Sequence, residues 1–549
     1  MIINQTVAGG GSAPAHYIEK TVDADGQLFN GSSQLIDLTG VKSIAYAGLA
    51  YAYYGNTTIT TTPDLSHIET IDGNGMYNTF GYCTNLTSTI DMSGLTYTPG
   101  GLQSTFSASG ITGLNLSAVT YVGNCTNMCL NCLGLKSVDM SSVENGGFES
   151  AFNNCPLLET VSLPSLMYAT SLTRTFYGDV ALTELTFNHL IKGGAATSMC
   201  ESCSGLRTVS FPMLMNLASN MFTTAFKNSG VTSISFGGLL LSSTNWNTQF
   251  TNSMLQGVTG CTVHFPAEWQ TAMSSWSNVT GGFGGTNTTV LWDLPNVHDV
   301  DWSFVEYLED VSSLGGCTAI TSADLSGITK ASRTSNNAVG LVNWFSGCTS
   351  LVTAKAPRIT RLSGAQNAFL NCVALTSADV SCWVYFSGTT ASLFSGCTSL
   401  VKQKFESLRY PYTTRGLQYA FQGCTALTDV YFPALYTNTG LAFTNMLQGC
   451  TGVTVHLPAN STLTAANFGG TDTVVSKDQP SCFILNGADT QKYYRNPKFD
   501  TATALCWTSA QYGIDPKVYT SGTTDPVVND TIYSDAACTD AVTTISSIS

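Results

Sequence analysis

The chain is poor in charge. Lys, Arg, Asp and Glu make up 10% of its 549 residues, against roughly 25% in ordinary soluble domains. The net charge is −14 and no basic block is long enough to track phosphates, so nucleic acid is not an expected partner. Histidine is scarce too: there are six, none closely spaced with another, so a metal or general-base cluster would need the fold to assemble it. Long apolar runs are missing. The longest near-apolar stretch, "IAYAGLAYAYYG" at 44–55, falls short of the roughly 20 residues a membrane helix needs, and no membrane insertion is expected. The first residues, "MIINQTVAGGGSAPAHYIEK", hold no Lys or Arg before Lys20 and no apolar core, so they do not read as a secretory signal. G-x-S-x-G, H-E-x-x-H and G-x-x-x-x-G-K-[ST] do not occur. The expectation is a protein that is not an enzyme and uses no cofactor or metal. One alternative stays open, a glycan depolymerase whose paired carboxylates come together only on the folded surface.

What fills the chain instead is Ser, Thr, Asn and 51 Gly, with 18 Cys and a 43% apolar share. These residues recur. "FGYCTNLTSTIDM" begins at Phe80, "FNNCPLLETVSLP" at Phe152, "FSGCTSLVTAKAP" at Phe345, "FLNCVALTSADV" at Phe369 and "FQGCTALTDVYFP" at Phe421. The fourth position sets the register, with Asp179 to Cys203 and Cys348 to Cys372 each 24 residues apart. A period near 24 with one Leu-x-x-Val-x-Leu per unit is a leucine-rich-repeat spacing. Leu158, Val161 and Leu163 alternate with polar residues, which predicts a short strand with one face inward, and Phe152 anchors the opposite side of the coil. One such unit cannot bury enough apolar surface alone; stacked units share a core and pair their strands in parallel. The predicted fold is a β-rich solenoid.

The C-x-x-C pairs Cys129/Cys132 and Cys200/Cys203 invite a zinc or redox reading, but the repeat register absorbs them. Cys132 and Cys203 fall on the recurrent Cys position, and Cys129 and Cys200 stand where other units carry Phe. They are expected to be core thiols, and with no Lys, Arg or His beside them nothing is expected to depress their pKa.

The units "AFNNCPLLETVSLP", "AFLNCVALTSADV" and "AFQGCTALTDVYFP" resemble the BspA-like leucine-rich-repeat family. The resemblance spans roughly residues 70–480 and implies a solenoid of short strands in a family used mostly for extracellular binding and adhesion, without catalysis. Ser109, Asp179 and Ser229 depart from it by replacing the repeat Cys.

A longer duplication sets the expected domain plan. "MLQGVTGCTVHFP" at 254–266 matches "MLQGCTGVTVHLP" at 446–458, and "FGGTNTTVLWDLP" at 283–295 matches "FGGTDTVVSKDQP" at 468–480. Each block closes an array. The plan is an N-terminal arm at 1–28, a first array with its cap at 29–298, a second at 299–480, and a small all-β module at 481–549. Within the caps Val258 and Cys261 exchange places with Cys450 and Val453, as buried packing allows. His264 and His456 share one strand slot and read as structural, since no Ser, Cys or carboxylate accompanies both at a fixed spacing. The densest acidic stretch, with Asp299, Asp301, Glu306, Glu309 and Asp310, reads as the solvated face of a connecting helix over 301–311, with cation binding as the alternative.

At the ends, "AGGGSAPA" is a flexible stretch, and "DADG" at 23–26 is a turn that lacks the later ligands of a calcium loop. The first residues, and "VYTS…DTIYSD" near the C-terminus, resemble structural and tail proteins encoded by phages of gut Firmicutes. Tyr493, Tyr494, Trp507, Tyr512 and Tyr519 make the last module aromatic, for core packing or sugar stacking. The expected function is binding: a phage virion fibre or a capsid- or tail-attached adhesin, joined to other virion proteins by its arm and recognising a glycan or protein of a bacterial surface or mucosa. It would be assembled in the bacterial cytoplasm and released by lysis, and homo-oligomers are compatible with it. The alternative is a bacterial cell-surface adhesin of the same family. The named candidates for contact are exposed strand positions and the tyrosines of "YAGLAYAYYG".

Overall fold

In the computed structural model, the repeat units are coils stacked in parallel. The structure describes residues 38–44, 48–217, 221–238, 250–295, 299–306, 314–330, 339–435 and 440–479, apart from 252, 410, 412–415 and 459–460, together with strand backbone at His16–Ile18 and between 483 and 548.

Most coils open on a short strand whose central side chain is apolar and faces inward. Thr89–Asp91, Gly113–Asn115, Ser137–Asp139 and Thr160–Ser162 pair in register, so that Ile90, Leu114, Val138 and Val161 lie side by side. The first three of these are buried, as period-2 alternation requires. Val161 is only half-buried, because its strand ends that sheet. The next five strands, from Glu184–Thr186 to Thr289–Leu294, form a separate sheet. An Asp or Asn then turns the chain. Asp91, Asn115, Asp139, Asp324 and Asp379 each accept the backbone N–H two residues on through Oδ1, at 2.9–3.1 Å. This is the Asx turn that such short side chains favour.

The coil then forms a second strand that the repeat pattern does not announce. Tyr97–Thr98, Tyr121–Val122, Asn145–Gly147, Tyr168–Ser171 and Lys192–Ala195 stack into another parallel sheet, in which His16–Ile18 pairs with Val41–Ile44.

The third side is a run of turns. There alternate N–H groups bond within the coil and across to the next one: Ala52 N–H and Tyr54 N–H reach Leu49 O and Tyr51 O, while Tyr51 N–H and Tyr53 N–H reach Tyr77 O and Thr79 O. The alternation requires two left-handed residues per turn run, four positions apart, and the second directly precedes the Cys position. Asn127 and Asn131 (φ 57° and 61°) and Asn367 and Asn371 (both 58°) hold these places, as does Gly347 (77°). Asn and Gly are the residues that tolerate this conformation at least cost.

Rings fill the core at the spacing of the coils. Phe345, Phe369, Phe394 and Phe421 stack at 5.6, 5.1 and 5.5 Å, and Phe187, Phe211, Phe236 and Phe265 at 5.2, 5.4 and 5.3 Å.

The chain divides into two compact units, one of residues 1–239 and 244–296, the other of 240–243 and 297–549. In the first, the strands Thr262–Pro266 and Thr289–Leu294 close the array, with helices Gln270–Met273 and Ser277–Thr280 between them. The last strand is nowhere fully buried, as a capping strand facing water should be. In the second, Thr454–Pro458 and Val474–Gln479 do the same, around a 3-10 turn at Ala465–Asn467. Val258, Cys261, Cys450 and Val453 are all buried, so the exchange between copies is a packing swap.

The acidic stretch is not a helix where it is described. Asp299–Asp301 is a strand paired with Ser322–Asp324. Asp301 accepts Ser303 N–H in the same Asx turn as the other coils, and Asp299 accepts Ser322 Oγ–H at 2.6 Å. The D-x-S signature outweighed the apolar spacing of Trp302, Val305 and Leu308, and the first two of these are core residues of a coil. Glu309 and Asp310 lie outside the described residues.

In the second unit the strand ladder breaks once. Asp299–Asp301, Ser322–Asp324, Thr353–Lys355 and Ser377–Asp379 form one sheet, and Lys402–Lys404, Asp429–Tyr431, Thr454–Pro458 and Val474–Gln479 another. Gln403 bridges the break. It is 2% exposed, and its Nε2 donates to Ala378 O and to Lys404 O, at 3.0 and 2.9 Å. Beyond residue 482 six strands, from Phe483–Leu485 to Ala541–Ile548, pair antiparallel in a closed ring. The side chains of Tyr493, Tyr494, Trp507, Tyr512 and Tyr519, like the "AGGGSAPA" and "DADG" segments, lie outside the described residues.

Candidate binding surface

The cysteines are built into the turn side of the coils. The fifteen described are all buried and free of disulfides. At the recurrent position the thiol donates back to the preceding coil: Cys83 Sγ to Tyr53 O (3.0 Å), Cys132 to Phe106 O (2.9 Å), Cys203 to Phe176 O (2.8 Å), Cys397 to Phe369 O (3.1 Å). Burial pushes the Cys83 thiol up to about 11 and Cys125 to about 12, and raises Cys129 and Cys200 well above their ordinary value.

Cys132 differs from expectation. Burial raises it, but hydrogen bonds from Cys129 and Ser109 outweigh that and leave it lowered. The cause is neighbouring S–H and O–H groups, which a search for Lys, Arg or His overlooks. Cys132 has no exposed surface, so the lowering gives no reactive thiol. Asp179 occupies the same position as a carboxyl. Its Oδ1 accepts Cys155 N–H at 2.7 Å, its Oδ2 has no partner, and burial raises its pKa well above the carboxylate range.

His264 and His456 each have a carboxylate, from opposite sides. His264 Nδ1 lies 2.9 Å from Asp293 Oδ1 on the following strand, and His456 Nε2 lies 3.1 Å from Asp429 Oδ1 on the preceding one. His456 also stacks on Tyr431 at 4.1 Å. No fixed sequence spacing could reveal partners that differ in direction. Among the described residues no cluster of three or more His, Cys, Asp or Glu is placed to hold a metal.

Two surface features remain. A cleft of about 480 Å³ opens at the ladder break, lined by residues that include Asp379, Lys402, Gln403, Lys404 and Glu406. Its charges are engaged locally: Lys402 with Asp429 at 3.4 Å, Lys404 with Glu406 at 3.8 Å.

The other feature is aromatic, and it separates the tyrosines that the sequence could not. Tyr53 is 1% exposed and stacks on Phe80 at 5.2 Å, in the core. Tyr51 and Tyr54 are each 48% exposed, and Tyr82 in the next coil is 52% exposed. Together with half-buried Tyr77 they make a surface group with centroids 5.3–5.6 Å apart and planes inclined 69–73°. A hydrogen bond to Tyr51, with burial, raises the Tyr77 phenol. Gly81 leaves room for it, since a Cβ there would come 3.1 Å from the Tyr54 ring. Tyr46 lies outside the described residues.

Tyr51 and Tyr82 hold left-handed backbone, with φ 58° and 61°. They occupy turn positions that most other coils fill with Asn, Gly or small residues, Arg174 and Tyr419 being the other large ones, and a Tyr there costs about 1–2 kcal/mol. A local rule broken without gain to the core points to use.

The repeat profile described as the BspA type leucine rich repeat region matches in 6 copies, over residues 50–170, 126–246 and 341–450, more than half of the chain. No curated protein matches. Among solved structures, a leucine-rich repeat protein from Bacteroides ovatus is 16% identical with TM-score 0.24, covering 87% of this chain and 99% of its own. A leucine rich cell surface protein from Faecalibacterium prausnitzii is 17% identical with TM-score 0.19, covering 75% and 83%. A leucine-rich repeat protein from Eubacterium ventriosum is 14% identical, also at 0.19, covering 66% and 83%.

Proposed function

The chain belongs to the BspA-type leucine-rich-repeat family, and from that premise we propose that it is a non-catalytic adhesin which binds a surface glycan or protein through its coils. The observation that carries the reading is the exposed tyrosine group of the first coils. Large exposed aromatic surface is costly to a free protein and is the usual raw material of recognition. Family members are often cell-surface adhesins, and this fold serves by presenting long stacked faces.

The finer part of the reading concerns where the protein is displayed. We place it on a phage virion, as a fibre or a capsid- or tail-attached protein held by its N-terminal segment. The thiols support this: fifteen cysteines buried without a disulfide suit assembly in a reducing cytoplasm and release by lysis. Display on a bacterial envelope is the second reading, favoured by the habit of the family. Immunogold electron microscopy with an antibody to the purified protein separates the two. Gold on particles supports the virion, and its position distinguishes head from tail; gold on envelopes alone refutes the virion reading and leaves the adhesin.

A further inference from the structure

We infer that Tyr51, Tyr54 and Tyr82 form a platform for neutral sugar rings, a ligand class that deepens the adhesin reading and rests on it. The argument begins with charge. The turn segments 48–56, 74–84, 101–110 and 124–134, which stack side by side here, contain no Asp, Glu, Lys, Arg or His. A charged ligand brought onto this surface would lose hydration without meeting a counter-charge. An uncharged one loses little.

The second point is the arrangement of the rings. Their mutual inclination of 69–73° makes no single apolar hollow for a protein knob. It presents separate ring faces and phenolic hydroxyls one after another, at a spacing of the order of one sugar ring. A pyranose offers the matching chemistry, with C–H groups for the ring faces and hydroxyls that both donate and accept. Beside Tyr77 lies the half-buried amide of Asn78, and the next two coils carry the half-buried amides of Gln103 and Asn124. Gln103 Oε1 and Asn124 Nδ2 already bond each other at 3.4 Å, which pre-orients that pair for sugar hydroxyls.

The third point is the backbone. The turn run requires left-handed φ at Tyr51 and Tyr82, and placing a Tyr in each of these two slots, where Asn or Gly costs least, leaves both rings half-exposed on adjacent coils. An Asn stands at these positions in other coils, at 78, 127, 131 and 154, so Asn is the substitution that removes the ring while keeping the turn.

The test uses the full chain and isothermal titration with neutral hexasaccharides of glucose, mannose and galactose, set beside polygalacturonate and polysialic acid. The expected result is binding of at least one neutral series and none of the polyanions. Y82N should weaken that binding about threefold to tenfold, and Y51N with Y82N together on the order of a hundredfold, with the melting temperature unchanged or higher. Preference for a polyanion, or equal binding by the double variant, overturns the inference. So does silence toward every sugar while the wild-type chain still adheres to host cells through these tyrosines; that outcome points to a protein partner and leaves the adhesin reading standing. Loss of neither adhesion nor sugar binding in the double variant takes the adhesin reading's own support away.

Discussion

Replacing Asp179 by Asn should stabilise the protein, and by an amount that depends on pH in a defined direction. The carboxyl sits in a position otherwise given to thiols, hydroxyls, the amide of Asn56 or the side chain of Val258. Its Oδ2 is buried without a partner, which costs about 1–3 kcal/mol even when the group is neutral. Burial raises the folded pKa well above the ordinary carboxylate value, so the folded chain holds a proton that the unfolded chain gives up at about pH 4. Below that pH both states are protonated and the wild type carries only the fixed cost. As pH rises past it, the unfolded state is favoured by about 1.4 kcal/mol per pH unit, until the folded carboxyl itself ionises. Asn keeps an oxygen for Cys155 N–H, supplies a donor in place of Oδ2, and does not titrate. D179N should therefore exceed wild type modestly at pH 4 and by a margin that widens as pH rises toward 6. Urea unfolding followed by circular dichroism at both pH values measures this. A gap that is constant with pH, or a less stable variant, would refute the burial argument.

Cys397→Ala should lower stability by about 1–2 kcal/mol, through loss of a buried sulfur and of its bond to Phe369 O, and Cys397→Ser should recover part of it because the hydroxyl restores the donor; denaturant midpoints decide. Native protein should react with essentially none of the described thiols at pH 8, where the buried Cys83 and Cys125 remain protonated, and denatured protein should give close to eighteen; a large deficit on denaturation would contradict assembly in a reducing compartment. Y82N alone should raise the unfolding free energy by about 1 kcal/mol through relief of the left-handed backbone, and a fall of similar size would show that the ring supports the fold. Gln403→Leu should destabilise by about 1–3 kcal/mol, since Ala378 O and Lys404 O lose their shared donor.

The coil period, the Phe ladders and the buried thiols were legible because each is a side chain recurring at a fixed place. The second strand of each coil was not. Asn145–Gly147 and Lys192–Ala195 have little strand propensity, and what selects them is close stacking: a Cβ on Gly146 would come 2.5 Å from the Val122 side chain, and one on Gly194 2.0 Å from the backbone carbonyl of Thr170. The sequence alone does not sort the tyrosines of "YAGLAYAYYG", because the alternation that sends Tyr53 inward and Tyr51 outward belongs to a turn run with left-handed residues, which neither helical nor strand periodicity describes. The helix expected over 301–311 failed for a related reason. Three apolar residues at suggestive spacing carried less weight than one Asp two residues before a Ser.

The bridge at Gln403 has a mechanical consequence. In a stack of coils, tension along the stacking direction passes through each coil-to-coil interface in turn, so the weakest interface sets the force the whole stack can bear. Between Ser377–Asp379 and Lys402–Lys404 the strand-to-strand ladder is replaced by one side-chain amide. Under tension the second unit would part its strand side at that interface before its other strand pairs, leaving the turn-run bonds from Ser392, Phe394 and Gly396 to the next coil to carry the load.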